Sequence, residues 1–384
     1  MRVNLQRLAL SPLPSEHDTL RAEVRTFLAA ALATRPPAMR ALSWMGHDAA
    51  FSRELGRRGW LGLTLPKQYG GQEATAFARY VVVEELLVAG APVSAHWIAD
   101  RQSAPLILRF GTEAQKERYI PPICRGESYF CIGMSEPDSG SDLASIRTKA
   151  ERKGDGWVLN GRKVWTTNAN LSHFMIVLAQ TGGAEGDRRG GKSQFIIDLN
   201  LPGVTVRPIK DLSGMEHFNE VLFEDVVLDA DALIGAEGQG WSQVMAELAF
   251  ERSGPERILS SIALVHTLID AVGPDPDSGQ AREIGRLVAK LAALRQMSLA
   301  VTGKLQNGED PAWAASCVKD LGTGFEQEIP EIAQRLFDAE PRRAGGSDHQ
   351  AVLAYVTQMA PSFSLRGGTR EILRGIIARG LGLR

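Results

Sequence analysis

The chain has 384 residues, of which 44% are hydrophobic and 23% charged, a balance typical of a globular protein with two or three domains. Lys and Arg total 43 against 45 Asp and Glu, so the net charge of −2 gives no basic field for a nucleic-acid backbone. We also expect no membrane span, because no apolar run reaches about 18 residues.

The cysteines and histidines suggest neither a disulfide framework nor a metal site. Cys124, Cys131 and Cys317 contain no C-x-x-C pair, and the seven histidines are scattered along the chain. The first ten residues lack the apolar run of a secretory signal. We therefore expect a cytoplasmic protein without a bound metal.

The first third of the chain has helical periodicity. Between residues 16 and 126 apolar side chains such as Phe51, Leu55 and Trp60 recur at helical spacing, with Pro and Gly breaks between the segments. This pattern predicts a helical domain over residues 1–128.

The middle of the chain is typical of β structure. Asn160-Gly161 lies between strand-forming segments at 157–159 and 162–166, which predicts a hairpin turn at that dipeptide. Further strands are predicted at 174–178, 195–197, 204–206 and 221–228. We expect a small β domain over residues 129–236.

Helical periodicity returns after Gly235. A helix is predicted over 241–264, and Ile284, Leu287, Leu291 and Leu294 share one face of another. With two further helical stretches, residues 237–384 are expected to form a four-helix bundle.

The segment 131–142, CIGMSEPDSGSD, joins the first two predicted domains. Met134-Ser135 at a strand end offers backbone amides and a short hydroxyl to the edge of a flat polar ring such as a flavin. Taken alone, Glu136 to Asp142 is equally typical of a surface turn, because turns favour Pro, Ser, Gly and Asp.

This segment resembles the signature of the acyl-CoA dehydrogenase family. Other stretches resemble further family motifs in the same order, namely 60–71, 110–126, 161–167, 218–221 through 241, and 367–379. The resemblance covers nearly the whole chain. It implies the acyl-CoA dehydrogenase fold, with a helical N-terminal domain, a small central β-barrel or sandwich, and a C-terminal four-helix bundle.

The resemblance also implies an FAD cofactor and its contacts, which match Ile132, Met134, Ser135, Trp165, Thr167, Thr369 and Glu371. Ser141 matches a position that contacts the pantetheine arm of CoA. Two of these assignments have an ordinary alternative, since Trp165 could be core packing and Glu371 a solvated helix residue.

The catalytic base of the family is a carboxylate above the substrate α carbon. Many members carry it immediately before the last Gly-Thr, where this chain has Gly367 preceded by Arg366. A minority carries it on the first helix of the bundle before an Arg, a pattern that Glu251 and Arg252 match.

We therefore assign Glu251 as the base, with Glu247 one turn earlier as the reserve candidate. Pro255 lacks the N–H that would bond the Glu251 carbonyl, so the helix should loosen near Glu251. Ser141, Arg252 and Gly367 form the expected substrate site, in which the Gly367 amide and a ribityl hydroxyl of the flavin polarise the thioester carbonyl.

The resemblance implies an acyl-CoA substrate and an electron-transfer flavoprotein as electron acceptor. Because Gly367 and the moved base would reshape the pocket, we expect a branched or bulky acyl group. The motif versions are most similar to those of bacterial enzymes that act on steroid side chains. Residues 266–280 lack the Arg-x-x-Phe-Gly stretch with which most members reach a neighbour's flavin. We expect either a homotetramer, as a dimer of dimers, or an α2β2 complex with a related subunit.

Two alternatives remain for the chain as a whole. It could be a weakly active or non-catalytic subunit of a heteromeric enzyme, as the missing terminal carboxylate suggests. It could also be an oxygen-using flavoenzyme of the same fold.

Overall fold

The computed structural model describes residues 9–183, 187–252, 254–337 and 340–383, without the side chains of residues 248–251. The chain divides into two compact units. The sheet unit comprises His47–Glu73 and Ser94–Leu248, and the helical unit comprises the chain up to Gly46, Ala74–Val93 and Ala249 onward.

Four α-helices in the described part of the sheet unit precede its strands. They are α3 (Ala49–Arg57), α5 (Ser94–Ile98), α6 (Ala104–Phe110) and α7 (Glu113–Cys124), with a π-helical turn at Ala99–Ser103 between α5 and α6. α7 begins at a capping box in which the Thr112 and Gln115 side chains each bond the other residue's backbone N–H. Tyr119 of α7 packs edge-on against Phe130 and Phe174 of the sheet, which joins the two layers.

Within the described residues the strands form a seven-stranded sheet with the order β1-β4-β2-β3-β7-β6, and β5 pairs with β4. Their bounds are β1 (Phe130–Gly133), β2 (Lys149–Lys153), β3 (Gly156–Thr167), β4 (Phe174–Gln180), β5 (Lys192–Asp198), β6 (Val204–Ile209) and β7 (Phe218–Leu228). β1 and β4 are parallel, whereas β3 is antiparallel to both β2 and β7. The predicted strands from 174 to 228 are confirmed.

The predicted hairpin turn at Asn160-Gly161 is wrong. β3 runs through this dipeptide with a register irregularity, and the turn lies before it, between β2 and β3. The Asn160 amide bonds both the N–H and the carboxylate of Asp225 on β7, at 2.8 and 3.1 Å. Gly161 lies so close to Thr148 that an added Cβ would be 2.6 Å from the Thr148 Cα. Tertiary contacts thus use the Asn-Gly pair within a strand rather than as a turn.

The helical unit contains helices from both ends of the chain. They are α1 (Asp18–Ala31), α2 (Pro37–Arg40), α4 (Ala76–Val88), α9 (Ile262–Val272), α10 (Ser278–Gln306), α11 (Ala312–Phe337), α12 (Asp348–Phe363) and α13 (Arg370–Gly380). α4 packs against both α1 and α10. Its buried Glu84 is bonded by Arg21 and Arg295, so these ion pairs join the three helices.

The helix predicted over 241–264 is interrupted. α8 (Gly240–Glu251) ends at Glu251, a 3-10 turn follows at Pro255–Arg257, and α9 begins at Ile262. The loosening expected near Glu251 is therefore confirmed. The proline explains it, because it removes a backbone donor and its ring clashes with the preceding turn of a continuous helix.

The described helices include none that combines the length and the apolar character required to cross a bilayer.

Candidate functional site

The segment that leaves β1 has both of its carbonyls bonded to β3. The Val164 N–H donates to the Ser135 carbonyl oxygen, and the Lys163 ammonium donates to the Met134 carbonyl oxygen, each at 3.0 Å. The polar groups that these bonds do not use are the two N–H groups and the Ser135 hydroxyl. The segment can therefore act as a hydrogen-bond donor edge, and Met134, Ser135 and Ile132 are half-buried.

Lys163 reaches this segment through a buried ion pair. Its ammonium lies 2.8 Å from Glu136 Oε1, and the side chain is fully buried. The Glu136 carboxylate accepts two further hydrogen bonds, from the N–H groups of Arg147 at 2.6 Å and Thr148 at 2.9 Å. Glu136 thus does not act as a simple surface-turn residue, although the sequence alone permitted that interpretation.

Both members of the pair have perturbed acidity. Burial lowers the pKa of Lys163 to about 8, although the Glu136 carboxylate partly opposes this shift. Burial acts to raise the pKa of Glu136, but the Lys163 charge and the hydrogen bonds outweigh it, and the net direction is downward. At neutral pH the pair is therefore ionised on both sides.

Trp165 lies within a register irregularity near the end of β3, and Thr167 lies just beyond it. Trp165 has φ of 60° and its side chain is 59% exposed, with only an edge contact to Phe218 among the recorded ring pairs of the described residues. The core-packing alternative for Trp165 therefore does not hold. A non-glycine residue held at positive φ is strained, and such positions are concentrated at functional sites.

Ser141 lies in an exposed turn that hydrogen bonds hold in shape. Glu136 and Ser139 form a bridge, the Ser139 hydroxyl donates to the Asp142 carbonyl, and the Asp142 carboxylate accepts from Arg188 and Ser145. The Ser141 side chain is exposed and accessible to a ligand from solvent.

In the helical unit two predicted substrate residues meet. The Arg252 side chain is buried, and its Nε donates to the Gly367 carbonyl oxygen at 2.8 Å. Gly367 and Gly368 both have positive φ, of 67° and 93°. An added Cβ on Gly368 would be 3.0 Å from Arg252 Nη2, so this turn needs glycine for its conformation and has little space beside the guanidinium.

Thr369 and Glu371 form the start of α13. Thr369 is its N-cap residue, and Glu371 lies in the first turn with an exposed side chain. Its own backbone N–H and the Thr369 hydroxyl lower the pKa of the Glu371 carboxyl. These contacts favour a helix-start role for Glu371, the ordinary alternative to cofactor contact.

Arg366, immediately before the Gly-Gly turn, was not predicted as a site residue. Its guanidinium stacks over the rings of Trp44 and Phe363, at 4.3 and 4.5 Å from their centroids. It also donates to the fully buried Glu326 carboxylate at 2.9 Å and to the Ser260 hydroxyl. The sequence signal for this residue was an Arg directly before the Gly-Gly pair.

The proposed base lies at the limit of what the structure describes. Glu251 is the last residue of α8, directly before Arg252, and its side chain is outside the described part. The reserve candidate Glu247 is buried, and the Gln194 amide of β5 approaches its carboxylate at 3.5 Å.

Comparisons with known proteins identify the family of the chain. The family model for the acyl-CoA dehydrogenase N-terminal domain matches residues 14–127, and the model for the middle domain matches residues 131–226. The chain is 34% identical to acyl-CoA dehydrogenase IpdE1 of Mycobacterium tuberculosis, over 95% of this chain and 97% of that protein. The chain belongs to the acyl-CoA dehydrogenase family.

Two solved structures of the family are similar over nearly all of the chain. One is the Tcur3481-Tcur3483 steroid ACAD, with a TM-score of 0.85, 27% identity and coverage of 97% of this chain and 98% of that one. The other is the ChsE4-ChsE5 complex of Mycobacterium tuberculosis, with a TM-score of 0.83, 27% identity and full coverage of both chains. The expected fold is confirmed, with a helical N-terminal domain, a curled middle sheet and a helical C-terminal region.

Members of this family are oxidoreductases that act on CH–CH bonds with FAD. The sheet unit has residues that fit an isoalloxazine ring. If a flavin bound there, Ser135 and its neighbouring amides would offer donors to the acceptor edge of the ring, and the exposed Trp165 would offer an aromatic surface.

Proposed function

We propose that the chain is an FAD-dependent acyl-CoA dehydrogenase that removes the α proton and the β hydride from a branched or bulky CoA thioester. The observation that carries the proposal is the donor edge at Met134 and Ser135, whose carbonyls are both bonded to β3. When bound there, FAD would supply the acceptor for the hydride. Ile132 and Thr167 complete the proposed flavin contacts on the sheet. Thr369 is the proposed contact on α13, where Glu371 is the weaker candidate because its carboxylate bonds the start of the helix.

We propose that the Glu251 carboxylate is the base that removes the α proton of the substrate. A carboxylate at a helix end can approach a bound ligand without a further turn of helix in the way, and α8 ends at this residue. A base in a water-poor site has a raised pKa, which makes it competent to accept a carbon-bound proton. Glu247 stays the reserve candidate, because its carboxylate already accepts from the Gln194 amide of β5 at 3.5 Å.

We propose that the Gly367 N–H donates a hydrogen bond to the thioester carbonyl oxygen of the substrate. Arg252 holds the carbonyl side of Gly367 at 2.8 Å, which fixes the orientation of the turn before substrate binds. A preorganised N–H donor stabilises the charge that develops on the thioester oxygen when the α proton leaves. Ser141, exposed in its turn, is available to the pantetheine arm.

A bulky acyl group is supported in two ways. Position 367 carries no side chain, which leaves space where many family members have a carboxylate. One structural relative is named a steroid ACAD. Both favour a ring-bearing or branched acyl group over a short straight chain.

Two structural relatives are pairs of different chains by name, Tcur3481-Tcur3483 and ChsE4-ChsE5. Together with the missing Arg-x-x-Phe-Gly motif, they favour an α2β2 complex with a related subunit over a homotetramer. Native mass spectrometry after co-expression with related subunits distinguishes the two assemblies. We propose an electron-transfer flavoprotein as acceptor and the cytoplasm as location.

The decisive experiment is an anaerobic titration of the purified flavoprotein, with its partner subunit if one is required, using straight, branched and steroid CoA thioesters. Bleaching of the flavin by bulky thioesters in wild type and its loss in Glu251→Gln supports the proposal. The exposed Glu331 of α11 provides the control variant Glu331→Gln, which should bleach normally.

Three results would contradict parts of the proposal. Normal bleaching in Glu251→Gln with loss in Glu247→Gln would move the base to Glu247. Equal bleaching by short straight thioesters would remove the bulky substrate class. Rapid reoxidation of the reduced flavin by air would favour the oxygen-using alternative.

A further inference from the structure

We propose that Glu136 and Lys163 are positioning residues for the flavin, acting through the backbone of Met134 and Ser135. This inference rests on the proposed function, because it assigns the same segment to FAD. Neither side chain needs to touch the cofactor. Their role is to turn the Met134 carbonyl into the sheet, so that the N–H groups and hydroxyl of the segment face the ligand.

The position of the Lys163 ammonium is fixed from two sides. It lies 2.8 Å from Glu136 Oε1 and 3.0 Å from the Met134 carbonyl oxygen, so two of its three donors are used on residues of one short segment. The Val164 N–H holds the next carbonyl, that of Ser135. Successive residues of β3 therefore hold successive carbonyls of the segment.

Glu136 is in turn anchored independently of Lys163. Its two carboxylate oxygens accept from the consecutive N–H groups of Arg147 and Thr148, just before β2. The chain from Glu136 to Thr148 is thus closed into a loop whose ends meet at this carboxylate. A loop closed in this way resists rotation of the Met134-Ser135 peptide.

Stability alone does not account for such a pair. The desolvation cost of a buried ion pair commonly cancels its attraction, and apolar replacements of both partners are often neutral. The bond from Lys163 to Met134 has a different consequence, because it sets the direction of a peptide dipole. Backbone donors aimed at a ring that gains electrons stabilise its reduced form more than its oxidised form. Loss of the pair should therefore change both flavin affinity and flavin potential.

The sheet unit offers a matched control. Lys192 on β5 is also a buried lysine, and its ammonium donates to a backbone carbonyl, that of Arg188, at 2.6 Å. Arg188 lies in another loop. Lys192→Met removes a buried lysine and a carbonyl contact from the same unit, and among the described contacts Lys192 makes none to the Met134-Ser135 segment. The Arg188 side chain links its loop to the one after that segment through exposed bonds to Asp142 and Ser145.

The test compares wild type, Lys163→Met and Lys192→Met as purified proteins, with the partner subunit where wild type requires it. FAD dissociation constants are measured by flavin fluorescence, and midpoint potentials by anaerobic dye equilibration. Supporting residues around a bound group typically contribute about 10- to 100-fold to its affinity, which is the loss expected for Lys163→Met. Its potential should fall, by about 30 mV for each tenfold loss of preference for the reduced form.

Glu136→Gln provides a second variant if Lys163→Met does not fold. It keeps the shape of the side chain but removes the charge that holds the ammonium, and the same two changes are expected at smaller size. Lys192→Met should leave both quantities within twofold of wild type.

The inference and the proposed function fail in different ways. A wild type that binds FAD while Lys163→Met and Glu136→Gln match Lys192→Met in affinity and potential overturns the inference and leaves the proposed function standing. A wild-type protein, tested with candidate partner subunits, that binds no FAD overturns the proposed function and the inference with it.

Discussion

The Arg252 guanidinium holds Gly367 by its carbonyl oxygen, with Nε at 2.8 Å. Arg252 directly follows Glu251, the proposed base. Its bond to Gly367 therefore links the base to the turn whose N–H is proposed to bind the thioester carbonyl. A change at Arg252 should therefore affect both the end of α8 at Glu251 and the turn at Gly367.

Arg252→Lys should lower kcat/KM strongly and change the free energy of unfolding only slightly. Lysine keeps the charge but lacks the planar fork that reaches the Gly367 carbonyl. A displaced turn lowers kcat/KM by about 10- to 100-fold, since small misplacements of catalytic groups are costly. Steady-state kinetics on the preferred thioester measures this loss. Arg379→Lys, at an exposed site of α13, is the control, and equal kinetics in the two variants would contradict the prediction.

Gly368→Ala should destabilise the helical unit. Gly368 has φ of 93°, and the new Cβ would lie 3.0 Å from Arg252 Nη2. Backbone strain of this kind costs about 1 to 3 kcal/mol of unfolding free energy. Gly375→Ala is the matched control, because Gly375 lies inside α13 and its Cβ would meet only the end of Arg379 at 3.8 Å. There alanine should stabilise by about 0.5 to 1 kcal/mol, as measured by urea unfolding.

The sequence placed Gly367 and Gly368 in a family motif, but it did not reveal the Arg252 hydrogen bond that holds the Gly367 carbonyl. Lys163 was equally hidden, although it follows Trp157 and Leu159 on the inward-facing side of β3. A lysine at an inward position of a strand is a readable signal of a buried pair. Its partner Glu136 lies 27 residues away and could not be chosen from spacing.

The missed and mistaken elements have similar explanations. β2 has the sequence Lys-Ala-Glu-Arg-Lys, which has little strand propensity and is a strand because β3 pairs with it. The Asn-Gly pair within β3 was mistaken for a turn because local propensity cannot include Asp225, 65 residues away. The division of the chain at 128 and 236 stays a prediction.

The Lys163 ammonium should give a pH-dependent stability. Its pKa in the folded chain is about 8, below the value of about 10.4 in an unfolded chain. Between these two values the unfolded chain binds more protons at this residue, so the unfolding free energy rises with pH. Wild type should therefore gain stability relative to Lys163→Met from about pH 8 to 10. Urea unfolding at several pH values tests this, and a difference that stays flat or falls would contradict it.

The buried ion pair of Arg366 and Glu326 should destabilise the fold when one partner is removed, and much less when both charges are removed. Arg366 donates to Glu326, whose carboxylate also accepts from the Ser260 N–H at 2.7 Å. Arg366→Met leaves this buried carboxylate without its cation, which should cost about 3 to 5 kcal/mol of unfolding free energy.

The double variant Arg366→Met with Glu326→Gln removes both charges, and the glutamine can still accept from Ser260. It should be more stable than Arg366→Met alone, because no uncompensated charge remains buried. Both variants lose the stacking of the guanidinium on Trp44 and Phe363, so their difference isolates the charge. Urea unfolding of the two variants and of Glu326→Gln completes a double-mutant cycle. A double variant as unstable as the sum of the two single changes would show that Arg366 acts through stacking rather than through its charge.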